Sequence, residues 1–79
     1  MKRDYKLILI EWTDSNMMHG WTSEECDDPI ARCQTAGFLI VDNPDKVTVA
    51  LSISDNAQLL ERITIPRGCI TSIKELRVK

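Results

Sequence analysis

The sequence predicts an all-β domain, a small five-stranded and strongly bent barrel with one long first loop. Three features carry that prediction. Lys46 to Ser54 (KVTVALSIS) alternates apolar and polar residues, the period-two signature of a half-buried strand. Gly37 interrupts a long β-patterned run, and a mid-strand glycine permits the bend by which one strand serves two sheets. Pro66-Arg67-Gly68 breaks the chain tightly ahead of a last apolar run. With 79 residues, 43% hydrophobic and 28% charged, the chain has the composition of one folded domain over residues 1–79. It is too apolar to stay disordered.

Tyr5 to Trp12 holds four consecutive aliphatics, Leu7 to Ile10, between charged residues. The run is short for a helix and rich in strand formers, so it reads as a strand covered on both faces. Thr13-Asp14-Ser15-Asn16 ends it with small side chains that bond their own backbone. Residues 14 to 30 form the long first loop, in which Ser23, Glu24 and Glu25 suit a single capped helical turn stopped by Pro29. From Ile30 to Val41 the second strand sets Ala31, Cys33, Thr35, Gly37, Leu39 and Val41 on one face. Arg32, Gln34, Ala36, Phe38 and Ile40 take the other. Asp42-Asn43-Pro44-Asp45 is a hairpin turn. In the third strand Val47, Val49, Leu51 and Ile53 point inward, with Thr48, Ala50, Ser52 and Ser54 outward. After a turn at Asp55 to Gln58, Leu59 to Ile65 gives a fourth strand. A short helix over Ala57–Arg62 is the alternative there, because Leu59, Leu60 and Ile63 also fit helical spacing. Cys69 to Val78 is the fifth strand. The SH3-like and Sm-like barrels have this strand count, this length and a Pro/Gly-rich corner before the last strand.

The formal net charge of −2 argues against a duplex-DNA binder, which carries a positive face. The charges are segregated. Glu11, Asp14, Glu24, Glu25, Asp27 and Asp28 crowd residues 11 to 28 without a single Lys or Arg, whereas Arg67, Lys74, Arg77 and Lys79 dominate the last stretch. Opposite charges on separate surfaces favour contact between copies, and the fifth strand and the acidic loop are its candidate sides, so a homo-oligomer is expected. The start of the chain has no signal-peptide pattern and no run approaches the ~20 apolar residues of a membrane span, so a cytoplasmic protein without a membrane partner is expected. Cys26, Cys33 and Cys69 then read as reduced thiols.

A series of residues runs through the chain: Glu11-Trp12-Thr13-Asp14-Ser15, Gly20-Trp21, Ala36-Gly37-Phe38-Leu39, Val47-Thr48-Val49-Ala50-Leu51-Ser52 and Thr64-Ile65-Pro66-Arg67-Gly68-Cys69-Ile70. It is similar to a widespread group of short tailed-phage and prophage proteins that read W-D-S … W … S-G-x-L … I-P-[RK]-x-x-I. The resemblance covers most of the chain, with IPRGCI its most specific segment. It implies a phage accessory protein with a small β-barrel. This sequence has Trp12-Thr13-Asp14 where the group has W-D-S, which weakens any role carried over to that aspartate.

Neither catalysis nor a metal is expected. The sevenfold intervals of His19, Cys26 and Cys33 are not zinc-ligand spacing, and no C-x₂₋₄-C pair exists. No cofactor motif is present, and His19 beside Ser23 and Cys26 forms no recognisable nucleophile–base motif. What remains is binding. Trp21, next to Gly20 in the loop, is the candidate stacking platform, and Trp12 the second indole at that loop. Arg67, with Gly68 at a rigid corner, suits a phosphate or carboxylate. His19 in the loop and Ser52 on the third strand complete the candidate ligand set, with Thr48 beside Ser52. The sequence therefore points to a non-enzymatic module that holds a small anionic or nucleotide-like ligand between Trp21 and Arg67, with counter-defence as the phage setting. Two rival functions remain. One is a protein adaptor working through Met17-Met18 and the acidic loop, and the other an Sm-like binder of single-stranded RNA.

Overall fold

The computed structural model describes residues 5–15, 21 and 30–77. Among these, five strands form one antiparallel sheet: β1 (Leu7–Asp14), β2 (Ala31–Asp42), β3 (Lys46–Ile53), β4 (Leu59–Pro66) and β5 (Ile70–Leu76). A three-residue 3₁₀ turn, Arg67–Cys69, joins β4 to β5. The strand order is β4-β3-β2-β1-β5, so the last strand returns to lie beside the first. Each predicted strand is present within two residues of its expected bounds. Residues 59 to 62 belong to β4 and pair with β3 from Lys46↔Pro66 to Ile53↔Leu59, which excludes the helical alternative.

The core lies on one face of this sheet. Ile8 and Ile10 of β1, Val47 and Val49 of β3 and Ile65 of β4 form one buried cluster, with Trp12, Leu39, Cys69 and Ile70 packed against it. β1 and β4 are three strands apart, roughly 14 Å on a flat sheet at the usual strand spacing. A flat single layer would leave that face wet, yet Ile10 and Val47 have no exposed surface. The sheet therefore curls over its own inner face.

Closure is incomplete, which corrects the expectation of a closed barrel. β4 and β5 are the two borders of the sheet, and no ladder joins them among the described residues. β5 spends its pairing on β1, from Leu7↔Leu76 to Trp12↔Ile70, with a register shift between Glu11 and Trp12. A second shift lies between Leu39 and Val41 where β2 meets β3. Both are local irregularities of the kind that sharpen twist.

Gly37 sits where β2 exchanges β3 for β1 as its pairing partner. Its partner on β1 is Ile8, while its neighbour Phe38 pairs with Ala50 at the last rung shared by β2 and β3. A Cβ at Gly37 would lie 2.8 Å from the Ala50 carbonyl oxygen and 3.3 Å from the Val49 Cβ. Beyond that rung β2 continues with β1 and β3 continues with β4.

This divergence explains where the inward and outward assignments of the third strand fail. Leu51, expected inward, is 62% exposed because it lies past the point at which β2 leaves β3. Thr48 and Ala50, expected outward, are buried. Thr48 is flanked by Val41 and Thr64, and shares a 2.8 Å hydrogen bond with the Thr64 hydroxyl; Ala50 is flanked by Phe38 and Arg62. Both are thus flanked on the same face by side chains from β2 and β4, which for Ala50 are much larger than its own.

The hairpin turn between β2 and β3 forms through Asn43. Its side-chain oxygen accepts the Asp45 and Lys46 backbone N–H groups at 2.9 and 3.0 Å, the Asx geometry that pins such a turn. The second turn closes with Ala57 in the left-handed region at φ 62, and the Ser54 hydroxyl accepts the Gln58 N–H.

Gly37→Ala is expected to lower stability by about 1–3 kcal/mol, the usual cost of forcing a methyl into backbone that cannot retreat. Urea denaturation checks it, and an unchanged midpoint would show that β2 and β3 part freely at this point.

Candidate functional site

The 3₁₀ corner sits between the end of β1 and the β2–β3 turn. The corner is fastened on both sides. Toward β1, the Thr13 hydroxyl donates to the Cys69 carbonyl at 3.4 Å. Toward the turn, the Arg67 backbone N–H donates to the Asp45 carbonyl at 2.9 Å, and its guanidinium donates twice to the Asn43 carbonyl, at 3.2 Å from Nε and 2.7 Å from Nη2. Nη2 also forms an ion pair with Asp42. Arg67 is thus committed to holding the corner against the turn. Gly68 beside it is exposed, with open space around the position of a Cβ.

The two indoles differ. Trp12 is half-buried, packs against the core and donates its Nε1–H to the Thr35 hydroxyl at 2.9 Å, so it is a structural anchor with a satisfied polar tip. Trp21 is fully exposed, at 104% of its reference surface. It is stacked on nothing among the described residues, so the structure does not bring it onto Arg67. Ser52 is exposed but pairs with Leu60, while the Arg67 corner adjoins the Lys46↔Pro66 rung. Six residues of strand, roughly 20 Å, separate the two. Thr48 is buried and lines no outer surface. His19, Met17, Met18, Cys26 and the acidic run Glu24, Glu25, Asp27 and Asp28 lie outside the described residues.

An open groove of about 580 Å³ lies where the end of β1 meets the start of β2, lined by Glu11, Trp12, Thr13, Arg32, Cys33, Gln34 and Thr71. Strand register builds it. Glu11 is opposite Gln34 and Thr13 is opposite Arg32, so these four side chains share one face of the β1–β2 ladder. The Glu11 carboxylate accepts the Ser72 hydroxyl at 3.1 Å, and the Thr71 hydroxyl donates to the Glu11 carbonyl at 3.0 Å, which fixes that wall. Arg32 is exposed and makes no ion pair among the described residues. It is the cation that a ligand in this groove would meet. The sequence places Arg32 and Gln34 on a common face, but the register that adds Glu11 and Thr13 crosses the long loop and has no local signal.

Among the described residues no three His, Cys, Asp or Glu side chains come together as a metal site, and no helix is long and apolar enough to cross a membrane. No family model, curated protein or solved structure matches this chain.

Arg67→Ala is expected to cost about 1–2 kcal/mol, since it removes charged hydrogen bonds to a backbone carbonyl at a half-exposed site. Thermal unfolding checks it. A variant as stable as the parent would return Arg67 to the pool of side chains available to a ligand.

Proposed function

We propose that this chain is a small SH3-like or Sm-like barrel whose corner is fastened by Arg67 and Thr13 rather than by a β4–β5 ladder, and that it is a non-enzymatic phage adaptor that binds a protein. The meander order with β5 beside β1 and the 3₁₀ corner support the barrel reading. The complete exposure of Trp21 carries the adaptor reading. A tryptophan wholly in water is costly to leave uncovered, and tryptophans are among the residues that dominate binding at protein interfaces. Trp21 belongs to the connection between β1 and β2, the segment that also holds Met17, Met18 and the four acidic residues from Glu24 to Asp28. An adaptable methionine pair, an indole and a negative run suit a host or phage protein with a basic, partly apolar surface.

Capture of infected-cell protein on the immobilised full chain tests this. Trp21→Ala is expected to weaken binding of the captured partner by about tenfold or more, the scale of a tryptophan hot spot. Equal affinity for parent and variant would overturn the adaptor reading.

A second reading, a small anionic or nucleotide-like ligand, is favoured by one observation: Arg32 lines the groove and is free of an acidic partner among the described residues. The groove is open and mixed in charge, whereas small-molecule sites are more enclosed and apolar. Native mass spectrometry of protein from infected cells separates the two. A co-purified anion lost in Arg32→Glu supports the second reading, and a bare chain that still captures protein supports the first.

A further inference from the structure

Past the Phe38↔Ala50 rung a fork opens inside the sheet. One prong is residues 31–36 of β2, which pair with β1 alone among the described residues. The other is Ser52 and Ile53 of β3, which pair with β4 alone. The Leu39 N–H donates to the Lys6 carbonyl at 2.8 Å. By the alternation of an antiparallel ladder, the N–H and C=O groups of Gly37, Thr35 and Cys33 therefore also turn to β1. Those of Arg32, Gln34 and Ala36 point the other way, into the fork. They form a row of three donors and three acceptors with no backbone partner among the described residues, the template on which an extended chain adds. A notch of about 220 Å³ lies at the mouth of the fork, bordered by Ala36 of β2, Leu51 of β3 and Arg62 and Ile63 of β4.

The two sides of the fork differ in chemistry. Cys33 and Thr35 lie on the core side of β2, and with them Leu51 and Ile63, 62% and 37% exposed. Arg32 and Gln34 of β2 and Arg62 of β4 are exposed on the outer side, and neither arginine makes an ion pair among the described residues. Two acids are close by. Glu11, opposite Gln34, is turned toward β5, where its carboxylate accepts the Ser72 hydroxyl. Glu61 also borders the notch, but its flanking rungs set it opposite Leu51, on the core side. An occupant therefore meets positive charge outward and aliphatic surface inward.

We propose that the fork is a strand-addition site for an extended segment of a partner protein in which acidic residues alternate with apolar ones. Its backbone pairs with Arg32, Gln34 and Ala36. Its acidic side chains meet Arg32 and Arg62 on the outer side, and its apolar ones cover Leu51 on the core side. The proposal does not rest on Trp21. Amide exchange on the full chain, read by NMR, is expected to find Arg32, Gln34 and Ala36 open and Cys33, Thr35 and Gly37 protected. A capped nine-residue peptide alternating valine and glutamate, at about ten times its Kd, is expected to slow the first three about tenfold. The same peptide with lysine for glutamate is expected to leave them open. Arg32→Glu is expected to weaken the glutamate peptide about fivefold or more, the scale of an exposed ion pair. Should that variant fail to fold, the pair of peptides decides. Protection of the three amides without peptide overturns the proposal: if it persists on dilution the chain covers its own fork, and if it fades a second copy does. Equal binding of the two peptides, or a glutamate peptide that leaves the three amides open, overturns it as well.

Discussion

Among the described residues no α-helix covers the sheet, and Ile10, Val47 and Ile65 are kept dry by the sheet folding over its own inner face. That constraint organises the molecule. β1 must approach β3 and β4 across the concave side, so β2, which lies between them, has to bend. Gly37 is where it does so, because only a residue without a Cβ tolerates the Ala50 carbonyl so close. The two register shifts, at Leu39/Val41 and at Glu11/Trp12, add local twist on either side of the bend. The exposure of Leu51 and Leu60, at 62% and 56%, follows from the same bend, since β3 and β4 run on past the rung where β2 turns away.

The curl also decides which polar groups are free to act. At the corner, Arg67 spans from the 3₁₀ turn to the β2–β3 turn, and its Nε and Nη2 are engaged by Asp42 and by the Asn43 carbonyl. Trp12 is similarly occupied by the core and by Thr35. Two residues that look like ligand contacts in isolation are thereby structural, and the accessible chemistry passes to Trp21 and to the Arg32 groove.

Much of the fold was legible in the sequence because it rests on local signals. Alternation marks β3, Asn43 and Pro44 mark the first hairpin, and Gly37 marks the bend. On β2 alternation groups Cys33, Thr35 and Gly37 on one face, but that this face is the inner one, opposite Trp12, Ile10 and Ile8, comes from register, since the continuous apolar run of β1 shows no inner side of its own. What escaped depends on pairing between distant segments. Alternation put Leu51 inside and Thr48 outside, because it cannot tell where a neighbouring strand departs or which neighbours are large. The groove escaped for a related reason: Glu11 meets Gln34 only through a register set across residues 15–30. The sequence offers Arg67 at its turn to a phosphate or carboxylate, and its engagement with Asp42 and Asn43, some 25 positions earlier, has no signature in its own vicinity.

The place of β5 beside β1 has a consequence for how the chain reaches this state. The Thr71 hydroxyl and the Glu11 carbonyl that meet there are 60 residues apart, the longest kind of loop this chain can close. Such closure costs entropy before any contact rewards it, and folds dominated by distant pairings assemble slowly. Of the five strands, β1 is made first and therefore gains its second neighbour last. Until residues 70–76 arrive, Ile8, Ile10 and Trp12 sit on a strand with one bare side. Assembly is accordingly cooperative and late, and the nascent chain spends its synthesis presenting its most apolar strand to whatever else is in reach.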